Sequence, residues 1–332
     1  MAIQWNQVSK RFMKALEKIN SAVARGVVEG LSKKHKSLPS WLFYDAEGDK
    51  IFQKIMAMPE YYLTNAEHEI FEKQKESILN SFSSTSKAFN IIEFGAGDGL
   101  KTEVLLKHFS NKDVDFTYRP VDISASVLGQ LKARMQRSIP TLKIDPINAE
   151  YFDALAELNV ERKNPVIVLF MGANIGNFHI SDAELFVKKI ADALKPGDQL
   201  MIGFDLKKDP NLIIDAYCDA AGITTAFNMN LLERLNRELG SDFDLSQFIH
   251  YPYYDPQTGT AKSFLVSQKE QDVHFEELDK TFHFKAWEPI HVEFSQKFDE
   301  EMIRDLAIKA DLKVEKYFYD EREYFADVLL KK

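Results

Sequence analysis

The residues best suited to chemistry sit in one short stretch. Glu93-Phe94-Gly95-Ala96-Gly97-Asp98-Gly99 closes an apolar run at 90–94 and opens onto helix formers from Leu100. Three glycines at alternate positions remove the Cβ atoms that would keep a ligand off the main chain, and they allow positive φ where the chain reverses. The pattern reads strand, tight turn, helix, with room for a cofactor against backbone N–H groups. Leu100 stands at the sixth position of the dinucleotide fingerprint, where a glycine would let the helix pack closely on a pyrophosphate. Downstream, Asp122 ends the second apolar run, where a carboxylate can accept both hydroxyls of a ribose. Glu150-Tyr151 follows the third, where an acceptor and an aromatic face could hold an adenine.

Elements able to position these residues follow from periodicity. Apolar runs at 90–94, 116–121, 142–147, 166–171 and 199–204 alternate with helical patterns at 102–108, 125–136 and 183–194. That alternation predicts a parallel, doubly wound α/β sheet, whose ligands bind beyond the carboxyl ends of its strands. Before it, helices are expected at 8–19, through Val27 and Leu31, at 48–58 and at 65–79, with an aromatic loop around Tyr44 and Tyr61. After it come helices at 210–221 and 224–239. Tyr251, Tyr253, Tyr254, Phe264, Val266, Val273, Phe275, Phe282, Phe284 and Ile290 then predict one antiparallel meander. Asp299 caps a helix through Ile308, and strands at 312–319 and 324–330 form an antiparallel pair closing the main sheet. No internal repeat is present.

The 332 residues carry a formal charge of −9 and 45% hydrophobic content, enough for a sizeable core. The charge argues against a broad nucleic-acid or anionic-membrane surface, and no apolar run approaches the ~20 residues that span a bilayer. Met1-Ala2-Ile3-Gln4-Trp5 lacks the basic start and apolar core of a signal peptide. Cys218 is the sole cysteine, which excludes an internal disulfide and fits a reducing cytoplasm; it is expected as a small buried apolar filler. The histidines show no paired metal-ligand spacing, so no metal is expected.

The glycine loop, with its leading acid Glu93, resembles the first motif of class I S-adenosylmethionine-dependent methyltransferases. Longer strings narrow the resemblance. Met171-Gly172-Ala173-Asn174-Ile175-Gly176-Asn177-Phe178, the run from Tyr217 to Asn228, and Asn230-Leu231-Leu232 with Arg234 to Gly240 are similar to the histidine Nα-methyltransferase family of ergothioneine biosynthesis. Phe43-Tyr44-Asp45 and Pro59-Glu60-Tyr61-Tyr62 match its amino-terminal pattern, so the similarity covers nearly the whole chain. It implies a Rossmann-like class I sheet and a second, discontinuous α+β substrate domain. Residues 66–207 with 298–332 would bind S-adenosylmethionine, and 1–65 with 208–297 would bind the substrate.

By the same resemblance, Asn177 and Tyr217 hold the substrate's carboxylate, Tyr61 lies by its amine, and Glu293 and Ser295 read an imidazole. Tyr44, Gly95, Ala96, Gly97, Lys101, Asp122, Glu150, Tyr151 and Gly172 would border the cofactor, whose product is S-adenosylhomocysteine. A carboxylate and a hydroxyl at i, i+2 on an extended segment face one side and can bind a polar ring. Two positions depart from the family pattern: Phe294 stands where a smaller aliphatic residue is expected, and Ser263 where a pocket-lining Met is expected. The expected activity is therefore N-methylation of a free amino acid, histidine first, by a cytoplasmic monomer acting on a small molecule without nucleic acid or membrane. The alternatives are a relative acting on another amino acid, such as an indole one, and a sensor that binds S-adenosylmethionine without turnover. The Met-Gly-Ala-Asn string after the fourth strand lacks the Asn/Asp-Pro-Pro-aromatic sequence of base- and Gln-methylating enzymes.

Overall fold

The computed structural model describes residues 22–84, 86–112, 114–160 and 163–332. The helix expected at 8–19 lies outside them. The chain divides into two compact units, Met1–Tyr61 with Asp209–Ser295 and Tyr62–Lys208 with Gln296–Lys332.

The first unit opens with α1 (Ala22–Leu31), a 3-10 turn at Ser40–Phe43, and α2 (Ala46–Met56). Asp45 caps α2, its carboxylate accepting the Gly48 N–H at 2.7 Å. The chain then crosses into the second unit through α3 (Tyr62–Phe82) and runs β1 (Ala88–Phe94), α4 (Leu100–Asn111), β2 (Asp115–Asp122), α5 (Ala125–Ser138), β3 (Lys143–Ile144) and β4 (Ile147–Asn148). It continues through α6 (Tyr151–Val160), β5 (Val166–Phe170), α7 (Ile180–Ala193) and β6 (Gln199–Asp205). The strand expected at 142–147 is thus two short pieces. Pro146 has no N–H to give the ladder, and the chain breaks there.

Back in the first unit, α8 (Pro210–Asp215) and α9 (Ile223–Leu239) precede β7 (Phe248–Asp255), β8 (Thr260–Ser267), β9 (Gln271–Phe275), β10 (Lys280–Phe284) and β11 (Pro289–Gln296). The helix expected through residue 221 stops at Asp215. Asp219 instead takes the N–H groups of Ile223 and Thr224, and Gly222 turns with φ 72°, so this stretch caps α9. Cys218 points outward and is exposed, contrary to the buried filler expected of it. The expected meander is two sheets, β11-β8-β7 and β10-β9. Val273, Phe275, Phe282 and Phe284 of the hairpin share a core with α1, α9, Leu265 and Val292. The second unit closes with α10 (Glu300–Lys309), capped by Asp299, then β12 (Lys313–Tyr319) and β13 (Phe325–Lys331).

The main sheet has the order β12-β13-β6-β5-β1-β2-β3, with β4 also on β2. β1, β2, β5 and β6 pair in parallel, and β13 enters antiparallel beside β6. Every residue of β5 and β6 is buried, as a sheet covered on both faces requires. No helix of the described residues is long and apolar enough to cross a membrane.

Candidate active site

In the second unit the glycine loop leaves the carboxyl end of β1. Gly97 has φ 53° and is exposed, and a Cβ built on it meets nothing within 4 Å, so its backbone borders open space. Gly99 answers a different need. Its Cβ would stand 2.6 Å from Leu131 and 2.8 Å from Met135, so glycine lets α5 pack under the turn. Glu93 lies fully beneath the loop, where Thr102 Oγ1 donates to it at 2.6 Å and Tyr118 OH at 2.5 Å. Burial pushes its carboxyl up to about 7 against those two hydrogen bonds. The acid of the motif therefore ties β1 to β2 and to the first turn of α4.

The other cofactor candidates of this unit sit at strand ends. Asp122 closes β2, and one of its oxygens accepts the Ser124 N–H at 2.8 Å. Glu150 is exposed just before α6. Tyr151 stacks one ring face on Phe94, with centroids 4.7 Å apart and planes 10° apart, and its hydroxyl lies 3.1 Å from the Cβ position of Gly95. Nearby burial and the charges of Asp122 and Glu150 push its phenol up. Ala96 is buried in the loop. Lys101, in the first turn of α4, pairs with Glu67 of α3, and the same carboxylate accepts the Gly172 N–H at 2.6 Å. Gly172 has φ 74° and starts the loop after β5, which leads to the exposed Asn177 in a 3-10 turn. An open glycine backbone, a strand-end carboxylate and a lysine at one sheet edge suit a cofactor with a ribose and an amino-acid end.

The first unit gathers another set. Tyr44 meets Phe52 at 5.6 Å and Phe227 at 5.8 Å, both edge-on, and Phe52 meets Tyr61 at 6.3 Å. Its phenol is pushed up by desolvation and by the carboxylates of Glu293 and Asp49, although the residue is 49% exposed. It therefore stays a neutral donor. Tyr44, expected at the cofactor, is electrically a neighbour of Glu293. Tyr217 is buried. Glu293 and Ser295 alternate with Val292 and Phe294 along β11 and so share a side. On the adjacent strand β8, the wholly buried Ser263 donates its Oγ–H to Glu293 Oε2 at 2.9 Å.

Several supporting residues have roles that the sequence strings contain but do not disclose. Arg234 of α9 donates to the carbonyls of Leu42 at 2.9 Å and Tyr44 at 3.3 Å, while Asn230 donates to Asp45 at 3.0 Å and Arg237 pairs with Asp45. The polar face of α9 thus holds the Tyr44 loop, which accounts for its unusual string. Glu67 was also missed, although a signal existed. It is an acid within the apolar stripe Leu63, Ala66, Ile70 and Phe71.

A family model described as histidine-specific methyltransferase, SAM-dependent, matches residues 23–332. A histidine N-alpha-methyltransferase of Mycolicibacterium smegmatis is 34% identical over 295 residues, covering 88% of this chain and 90% of that protein. The protein of the same name from Mycobacterium tuberculosis is 33% identical, covering 88% and 87%. An L-tryptophan methyltransferase of Psilocybe serbica is 29% identical, covering 90% of each.

Proposed function

Because this chain belongs to the histidine-specific, S-adenosylmethionine-dependent methyltransferase family, we propose that it methylates the α-amino group of free L-histidine to the Nα-trimethylated betaine. The observation that carries the choice of acceptor is Glu293, a carboxylate steadied by a buried serine hydroxyl and neighboured by a neutral phenol. Such a group suits a ring N–H. The indole acceptor named for one relative offers a single such donor on a larger ring, and an imidazole offers two nitrogens that differ in role.

Residues Tyr62–Lys208 with Gln296–Lys332 form the cofactor-binding domain in this reading, and the rest forms the substrate domain. Tyr44, Gly95, Ala96, Gly97, Lys101, Asp122, Glu150, Tyr151 and Gly172 would border the cofactor. S-adenosylmethionine supplies an electrophilic methyl on a sulfonium. Asn177 and Tyr217 hold the acceptor's carboxylate, Glu293 and Ser295 its side chain, and Tyr61 its amine. The amine can accept a methyl only in its neutral form, so each transfer requires it to give one proton to solvent, and the donor, when bound, would leave as S-adenosylhomocysteine. Alignment and exclusion of water are what these side chains contribute, and no protein nucleophile takes part. We assign the enzyme to the cytoplasm as a monomer that acts on a small molecule.

A methylation assay with S-adenosylmethionine and the free amino acids, read by product mass, tests the proposal. Histidine gaining three methyl groups is expected. Tryptophan outcompeting histidine would reassign the acceptor, and no turnover on any amine would leave a cofactor-binding protein.

A further inference from the structure

Glu67 belongs to no motif, yet it is wholly buried, and its two oxygens engage a loop and a helix. Oε1 accepts the N–H of Gly172 at 2.6 Å, at the start of the loop after β5. Oε2 pairs with Lys101, in the first turn of α4 two residues past Gly99. β6 makes way for the carboxylate, since a Cβ at Gly203 would stand 2.7 Å from Oε1. Opposite Gly203 in register, Asp327 of β13 is also wholly buried, and neither of its oxygens has a hydrogen-bond partner. The Lys101 side chain is 30% exposed and the Glu67 side chain 0%, so the pair opens outward on its cationic side.

The methyl donor carries a sulfonium, an α-ammonium and one carboxylate. A lysine at the cradle attracts only the last of these and, left bare, repels the other two. A fixed carboxylate behind the lysine cancels that repulsion and leaves its remaining N–H donors directed. We propose that Glu67 is a positioning residue for the cofactor: it aims the Lys101 ammonium at the donor's carboxylate and pins the Gly172 loop to the same edge. This rests on the reading that the glycine loop binds S-adenosylmethionine.

Calorimetric titration with two ligands tests it. S-adenosylhomocysteine carries the amino-acid end, and 5′-methylthioadenosine lacks it. Glu67→Gln is expected to weaken S-adenosylhomocysteine about tenfold or more and 5′-methylthioadenosine less than about twofold. Equal weakening of both would assign Glu67 a merely structural role, and no weakening of either would also overturn the proposal. Gly203→Ala presses a methyl on Oε1 at 2.7 Å, and more lightly on the Phe325 ring at 3.0 Å, without changing charge, so it should show the same selective loss. Should Glu67→Gln fail to fold, an unchanged ligand ratio in Gly203→Ala overturns the proposal. Wild-type protein that binds neither ligand would remove the underlying cofactor assignment, which is a different failure.

Discussion

Two carboxyls of the second unit are taken out of water and treated differently. Glu93 receives two hydroxyl donors, whereas Asp327 receives none, and burial together with the nearby Glu67 pushes Asp327 well above the usual carboxylate range. A folded-state value above the unfolded one, about 3.9 for Asp, means that the unfolded chain releases a proton the folded chain keeps. Stability therefore falls as pH rises above that value. Asp327→Asn carries no such proton, so its melting temperature should exceed the wild type's at pH 7 and converge on it toward pH 4. A constant gap across that range would contradict the assignment. Ser263 makes the opposite case, a buried hydroxyl with a charged acceptor. Ser263→Ala should raise KM for histidine about tenfold, the worth of one hydrogen bond to a charged group, with kcat little changed, and Ser263→Thr should restore it. Steady-state kinetics on the three proteins decide the point. At this scale the sequence was legible where neighbours in the chain act together, as from Glu93 to Gly99. It was silent where partners lie on different strands, as Ser263 and Glu293 do.

At the scale of elements, α9 does two jobs at once. Phe227, Leu231, Leu232, Leu235 and Leu239 are buried in the core of the first unit, and Asn230, Arg234 and Arg237 reach the loop at 42–45. Periodicity exposed the first job, because burial repeats every three to four residues. It hid the second, because arginine on a helix reads as solvated surface. Arg234→Ala should leave α9 in place while freeing the carbonyls of Leu42 and Tyr44. Faster amide hydrogen exchange across 42–45, with the α9 core amides unchanged, is the expected result. The strands were legible for similar reasons. β5 and β6 are continuous apolar runs, while β3 and β4 are cut by a proline whose effect on the ladder outweighs the apolar pattern around it. The pairing of β11 with β8 instead of β10 was beyond reach, since alternation reports which face is buried and not which strand lies alongside.

At the scale of the molecule, the chain crosses between its units three times, and each crossing is tied to one buried carboxylate of the second unit. Asp205, at the end of β6, accepts from Tyr62 at 2.9 Å, pairs with Lys297 at 2.8 Å and pairs with Lys208. Tyr62 is the first residue after the first crossing, Lys208 the last before the second, and Lys297 the second after the third. Burial works to raise Asp205, but Lys297 and Lys208 outweigh it and hold its carboxyl below the usual range. Its stabilising effect is thus present above the unfolded value and lost as pH falls through the lower folded one. Asp205→Asn removes the carboxylate that both buried ammonium groups pair with and should cost about 3–5 kcal/mol. Denaturant titration measures that loss, and a change within about 0.5 kcal/mol would show the cluster to be dispensable.

The same knot has a consequence for how the acceptor can change. Leu206 and Phe298 bridge each other in parallel inside the second unit, so the stretch 209–295 departs and returns along neighbouring backbone. From the standpoint of the sheet, that whole stretch is one closed loop. The entropy of closing a loop grows only with the logarithm of its length, about 0.6 kcal/mol per doubling. Insertions, deletions or rebuilt hairpins in 209–295 therefore load the main sheet very little. On the proposed division of roles, a lineage can redraw what it methylates while inheriting intact the means of methylating it.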